Sequence, residues 1–328
     1  MNHEALTKKK RQLDEHRPLS AALVRNLEEW FRVELTFTSN ALEGNTLTRR
    51  ETALVVEKGL TVGGKTLVEH LEATNHAAAL DYVKEQVERD PSELSAREVL
   101  KIHETILKGI DDANAGQYRT VPVRISGSGV VLPNPRKVPD LMDAFCTWLG
   151  SETGLHPVEF AGEAHYRLVT IHPFVDGNGR TARLLMNLLL MQQGYPPAII
   201  RKTDRLAYIS SLEQAQTGGS KRDYQSIIGK AVSRSLDIYL KALSGDEEKQ
   251  PIAASKLLKI GELAKLVGRN NSTIRHWTKA GLLEVASVTD AGYQLFAPEM
   301  VKQAKRIVDL QNQRFTLSEI QQQLSLAS

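Results

Sequence analysis

Apolar residues recur at three- and four-residue spacing along most of this 328-residue chain, a period that admits little besides packed helices. Leu23, Leu27, Trp30, Phe31 and Leu35 mark one face across 19–38, and the pattern returns at 66–88, 95–108, 138–149 and 157–169. One stretch breaks it. Residues 121–135, VPVRISGSGVVLPNP, set β-branched residues about a Gly-Ser-Gly turn and close on prolines, which predicts a short β-hairpin. Segment 244–255, SGDEEKQPIAAS, is small, polar and proline-containing, and predicts a linker. The expected fold class is mainly α.

A 41% hydrophobic content supports a sizeable core, and 5% aromatics means that core leans on Leu, Ile, Val and Ala. No run of about 18 apolar residues exists, so no membrane partner is expected. The N-terminal MNHEALTKKKRQLDEHR is charged and lacks the apolar stretch of a secretory signal. Cys146 is the single cysteine and cannot form an internal disulfide, so a cytoplasmic location is expected. The net charge of +3 is uneven: residues 251–328 hold 10 Lys/Arg against 6 Asp/Glu, and residues 1–250 hold 32 against 33. The C-terminal excess points to a polyanion there.

Residues 172–183, HPFVDGNGRTAR, gather the chemistry. Gly177-Asn178-Gly179 precedes a long apolar run, and a glycine turn entering a helix offers open N–H groups and a positive dipole end to an anion. Arg180 and Arg183 lie three apart on one helix face, and two guanidiniums beside such a cradle suit a polyphosphate. Asp176 adds an oxygen ligand for Mg²⁺. His172 can take a proton from an incoming hydroxyl. Together they predict phosphoryl or nucleotidyl transfer. His103 and His165 lack comparable sequence neighbours and are expected to be structural.

The segment resembles the Fic-family signature, His-Pro-Phe-x-(Asp/Glu)-Gly-Asn-Gly-Arg-x-x-Arg, at every specified position. Gly116-Gln117-Tyr118-Arg119, the 121–135 hairpin, VPDLM at 138–142 and LLMNLLLMQQGYPP at 184–197 resemble that family's flanking elements. The resemblance implies a Fic-type helical bundle with a hairpin flap, acting on ATP with Mg²⁺ or Mn²⁺. It implies His172 as general base on a protein Ser, Thr or Tyr hydroxyl and Asp176 as metal ligand. Gly177, Asn178 and Gly179 would form the anion cradle, with Arg180 on the phosphates and Arg183 on the γ-phosphate. Phe174 would anchor the loop, and Tyr208 would line the adenine pocket. Val123, Arg124, Ile125, Ser126 and Gly127 of the flap would dock an extended target segment by strand addition. The target protein is not named by the motif; self-modification is expected, and a homodimer is allowed. Another nucleotide or phosphate donor, such as UTP or a choline conjugate, stays open because the motif does not read the base.

Residues 39–45, Ser-Asn-Ala-Leu-Glu-Gly-Asn, resemble the family's inhibitory motif, (Ser/Thr)-x-x-x-Glu-(Gly/Asn). A short helix ending at Gly44 would aim Glu43 at Arg183, occupying the group meant for the γ-phosphate. Autoinhibition is therefore expected, and the same glutamate implies a reverse activity, removal of AMP.

Residues 257–284 place two short amphipathic stretches about Gly268, with Asn271 or Ser272 suited to cap the second. Together with a small wing at 291–296 and two helices within 297–324, they resemble the MerR-family DNA-binding domain. Ser272, Thr273, Arg275, His276 and Lys279 are its candidate DNA contacts, and Trp277 is expected in the core. Gln294 stands where that family's wing has an arginine, and the long dimerising helix is not expected before Ser328. A protein-interaction module is the rival reading. The expected domains are an N-terminal helical region at 1–95, a Fic core at 96–243, a linker at 244–255 and a winged helix-turn-helix at 256–328. The alternative function is a DNA-binding regulator whose Fic domain acts on itself or senses nucleotide.

Overall fold

Thr48, Thr66 and Ser95 each stand three residues ahead of a glutamate, and in the computed structural model each opens a helix with a reciprocal capping box. The structure describes residues 1–90, 93–244, 257–288, 294–312, 315 and 319–320. They fall in two units, Met1–Glu247 and Glu248–Ser328.

The first unit is helical: α1 (His3–Asp14), α2 (Ala21–Leu42), α3 (Arg49–Lys58), α4 (Leu67–Glu85), α5 (Ala96–Leu107), α6 (Val138–Leu149), α7 (Pro157–Ile171), α8 (Asn178–Gln192), α9 (Arg205–Gln216) and α10 (Arg222–Ser244). Helix α8 is the hub. Leu184, Leu185, Leu188, Leu189 and Leu190 are all buried, as expected of a helix apolar on every side. Helices α2, α4, α5 and α7 pack around it. One continuous core joins Leu27 and Phe31 of α2, Leu80 of α4 and Ile102 of α5 to α8, so regions 1–95 and 96–243 share a core.

Helix α2 runs beyond the apolar pattern at 19–38. Its last turns bury Thr36, Thr38, Ser39 and Asn40, and Glu43 is its C-cap rather than part of a separate short helix. Buried polar groups need partners: Thr36 and Asn40 find theirs on α4, Ser39 on α8, and Thr38 on Glu34 O within α2 itself.

The predicted hairpin at 121–135 has the turn without the ladder. Ser128 N–H donates to Ile125 O at 3.2 Å, and Gly127 takes φ +75°. No strand pairing is formed over 121–135, because Pro122 and Pro133 lack the N–H donors that would start one. Arg119 closes the base instead, donating through Nη1 to Val121 O at 3.3 Å and through Nη2 to Pro133 O at 2.7 Å.

The second unit holds α11 (Ile260–Val267), α12 (Asn271–Lys279) and α13 (Met300–Asn312). Its antiparallel sheet runs β1 (Leu258–Lys259), β3 (Gln294–Phe296), β2 (Ser287–Val288) in spatial order. Trp277 is buried with Leu263, Ile274, Phe296 and Ile307. Asn270 caps α12, accepting from Thr273 N–H, one or two residues ahead of the expected cap. From residue 245 the linker lies outside the described residues, as do 291–293 of the expected wing and most of the stretch expected to form the last helix. Among the described residues no helix is long and apolar enough to cross a membrane.

Candidate active site

His172 ends α7 in the left-handed region, φ 51° and ψ 60°, the one non-glycine with positive φ among the described residues. Such a conformation persists where surroundings impose it. The His172 N–H donates to Leu168 O at 2.9 Å, and its carbonyl accepts from Arg119 Nε at 2.7 Å. The imidazole Nδ1 faces Val169 O at 3.3 Å; a carbonyl can only accept, so the proton sits on Nδ1 and Nε2 keeps its lone pair. Burial, reinforced by the Arg119 charge, pushes His172 below the usual imidazole range, so the ring is neutral at pH 7.

Beyond it the loop is braced from inside. Phe174 is buried and stacks on His103, centroids 3.6 Å apart and planes 5° from parallel. His103 Nδ1 accepts from Gly116 N–H at 3.0 Å, so Nε2–H donates to Asp176 O, also at 3.0 Å. His103 thus has the neighbours that its sequence surroundings did not show. Burial lowers it to about 4. The Asn178 amide accepts from Phe174 N–H at 3.0 Å and donates to Phe174 O at 2.9 Å. Its side chain closes the loop rather than facing an anion, and only its backbone N–H remains for the cradle.

Gly177 caps α8 at φ 75° with no side-chain hydrogen bond; a Cβ there would approach Ile106 Cδ1 to 2.9 Å. The first intrahelical bond is Thr181 N–H to Gly177 O at 2.9 Å. The N–H groups of 178–180 are therefore the open end of the helix, suited to an anion. Glu43 already fills the space: a Cβ on Gly179 would collide with Glu43 Oε1.

Arg183 holds that carboxylate, Nη2 donating to Glu43 Oε1 at 2.6 Å. The same guanidinium donates from Nε to Ser39 Oγ at 3.0 Å and from Nη2 to Ser39 O at 3.1 Å. Burial acts to raise Glu43, but Arg183, with Arg180 and Arg205, outweighs it and holds the carboxyl below its ordinary value. Arg183 is buried and Glu43 is 38% exposed.

Arg180 lies between two carboxylates, 2.9 Å from Glu72 Oε1 and 2.9 Å from Asp176 Oδ2. Its Nε is buried without a partner among the described residues. The other Glu72 oxygen accepts from Asn45 Nδ2 at 2.8 Å, so the segment after Glu43 is tied to the first arginine through α4. Glu72 stands 108 positions from Arg180, and no motif marks it. Asp176 is 67% exposed. No group of three His, Cys, Asp or Glu side chains among the described residues could hold a metal. One open carboxylate fits Mg²⁺ when substrate phosphates and water supply the remaining oxygens.

Tyr208 is not on a pocket wall. It is 1% exposed, and its hydroxyl donates to His165 Nε2 at 2.7 Å. His165 Nδ1–H then donates to Tyr224 Oη at 2.9 Å, and Tyr224 donates to Gly162 O at 2.7 Å. Burial lowers His165 to about 3 and raises Tyr208 to about 12. The expected adenine contact is thus a core residue beneath Arg183, whose charge it faces, and His165 is structural but well partnered.

Of the flap candidates, Arg124, Ser126 and Gly127 are exposed, and Val123 and Ile125 are half-buried. In the second unit Arg275, His276 and Lys279 are exposed on α12. Ser272 and Thr273 instead donate their hydroxyls to Asn270 Oδ1 at 2.7 and 2.8 Å, so both are engaged in the cap.

The Fic/DOC family model matches residues 93–190, and that of the MerR HTH family regulatory proteins matches 258–326. A protein adenylyltransferase Fic of Culex quinquefasciatus is 36% identical over 277 residues, covering 83% of this chain and 55% of that protein. The chain spans about half the length of the curated relatives it matches. Among solved structures, residues 134–508 of Caenorhabditis elegans Fic-1 superpose with a TM-score of 0.67 at 31% identity, covering 74% of this chain and 73% of that one. A Fic-domain-containing signalling protein of Bacteroides thetaiotaomicron gives 0.66 at 30% identity, with coverage of 75% and 98%. With the 172–183 loop, the hub helix it opens and these likenesses in agreement, the chain belongs to the Fic/DOC family.

Proposed function

We propose that this chain is a protein adenylyltransferase that moves AMP from ATP to a Ser, Thr or Tyr hydroxyl of a protein, itself included, and that Glu43 holds it in check. One observation carries the reading. The Glu43 carboxylate lies over Gly179 and on Arg183, an anion from the chain itself placed where a phosphate would bind. Relatives named protein adenylyltransferase support the reaction class.

In this reading Arg183 takes the γ-phosphate once Glu43 leaves, and the N–H groups of 178–180 with the Arg180 guanidinium take the inner phosphates. Asp176 would hold Mg²⁺ or Mn²⁺, which supplies neutralising charge to phosphate oxygens when bound. His172 presents Nε2 to the incoming hydroxyl and takes its proton as the new O–P bond forms and pyrophosphate leaves. In the reverse direction Glu43 would align a water for removal of AMP. We place the protein in the cytoplasm, where its single thiol stays reduced.

The test is incubation of the Glu43→Gly protein with α-labelled ATP, beside Glu43→Gly/His172→Ala. Label on the first and none on the second is expected; unlabelled Glu43→Gly protein, or equal label on both, overturns the reading.

A second reading concerns the C-terminal unit. Its match to the MerR model and the exposed Arg275, His276 and Lys279 on α12 favour DNA contact over a protein-interaction role, making the chain a regulator as well. A DNA-shift assay of the full chain, beside Arg275→Glu/Lys279→Glu, tests it. Equal shifts for both proteins overturn it.

A further inference from the structure

We propose that Glu213 of α9 is a latch that fixes the flap tip and thereby positions the target segment over His172; this rests on the adenylyltransferase reading above. Because the 121–133 flap forms no ladder, its geometry depends on side chains at its two ends.

At the base, a single guanidinium serves both flap and loop. Arg119 reaches Pro133 O at 2.7 Å through Nη2 and His172 O at 2.7 Å through Nε. At the tip, Glu213 Oε1 accepts from Ser128 Oγ at 2.9 Å and from Gly129 N–H at 2.8 Å. Ser128 Oγ in turn accepts from Val130 N–H at 3.2 Å, so one carboxylate organises three consecutive flap residues. The two flap donors hold the Glu213 carboxyl below its ordinary value, which keeps it a charged acceptor at neutral pH.

The anchor itself is rigid. Tyr208, five residues earlier on α9, is buried on His165. Arg205 Nε, at the start of α9, donates to Leu42 O at 2.8 Å, the end of the helix that carries Glu43. The flap tip is therefore referred to the same helix that faces Arg183.

This matters because strand addition specifies which target side chain points inward. A slip of one residue turns every side chain to the opposite face, so a loose flap edge presents the wrong residue to the base. Val131, 93% exposed on the outgoing arm, and half-buried Val123 on the incoming arm have their heights set by the anchors at base and tip. Glu213 acts through the flap backbone, so it is a positioning residue.

Two measurements on the full chain test this, comparing Glu213→Ala with Glu213→Gln, whose amide oxygen can still accept both bonds. Amide exchange of 126–131 is expected to quicken about tenfold in Glu213→Ala and to stay near wild type in Glu213→Gln, as for loss of one charged acceptor on an exposed segment. In the Glu43→Gly background, self-modification should fall about fivefold or more in Glu213→Ala with the KM for ATP unchanged, and recover in Glu213→Gln. Unchanged exchange in Glu213→Ala overturns the latch, as does a rate loss matched by a raised KM for ATP. If the Glu43→Gly protein transfers no AMP at all, the adenylyltransferase reading fails while the exchange arm still decides the latch.

Discussion

Glu43 Oε1 accepts a hydrogen bond from Arg183 Nη2 at 2.6 Å while lying against Gly179 at the open end of α8. The residues are 140 positions apart, and their meeting joins the end of α2 to the helix that would grip a triphosphate. One partner is buried and the other partly open, so the contact falls between the roughly 0.5 kcal/mol of an exposed pair and the 3–5 kcal/mol lost on breaking a buried one. Taking about 2 kcal/mol, Glu43→Gly should raise the labelling rate roughly 30-fold. Initial rates with labelled ATP check this; a rise below about threefold would leave no room for a brake.

The proton inventory of His172 predicts the pH profile. Its folded-state pKa is lowered by burial, so it is already the neutral base at pH 7. In the Glu43→Gly protein kcat should be flat from pH 7 to 8 and should fall only below the ordinary imidazole value near 6.5. Glu43 is also shifted downward. Its pairing is complete above the ordinary carboxyl pKa and weakens only as pH falls through the lower folded value. Mild acidification to pH 6 should therefore not release the wild-type enzyme. Labelling assays across pH 5.5–8.5 on both proteins check these two outcomes.

What could be read from residues alone followed sequence distance. The 172–183 loop was legible because turn, arginine pair and histidine are contiguous, and the apolar run behind them marks the hub helix. Glu43 was legible only through its likeness to an inhibitory motif; nothing local links it to Arg183. Glu72 and Glu213 were not legible, since each acts on a partner more than 80 residues away. Asn178 was assigned to an anion by its place in a glycine turn, but its amide satisfies Phe174. Tyr208 was placed at a pocket because an aromatic on a helix reads the same from either side. The hairpin failed for a local reason, the prolines at its base, which also read as strand ends.

Tyr208→Phe separates a core residue from a ligand contact. Removing the hydroxyl leaves His165 Nε2 without its donor and strips a polar neighbour from Arg183. A buried acceptor left unpaired costs about 1–3 kcal/mol. Urea denaturation should show that loss, and the variant should distinguish ATP from other nucleoside triphosphates as the parent does. Unchanged stability with altered base preference would return Tyr208 to the nucleotide pocket.

Glu72→Ala should be the most damaging of these substitutions to the fold. Arg180 is 3% exposed and would keep only Asp176, which is mostly in solvent, leaving a buried guanidinium half-compensated. Breaking a buried pair costs about 3–5 kcal/mol, and Asn45 Nδ2 would lose its carboxylate acceptor as well. Glu72→Gln keeps an oxygen for Arg180 Nη1 but must present its amide nitrogen to Asn45, so an intermediate loss is expected. Because Asn45 follows Glu43 by two residues, the same change should also loosen the inhibitory segment. In thermal melts paired with basal labelling, Glu72→Gln should therefore be less stable yet more active per folded molecule. Lower stability with unchanged basal labelling would confine Glu72 to holding Arg180.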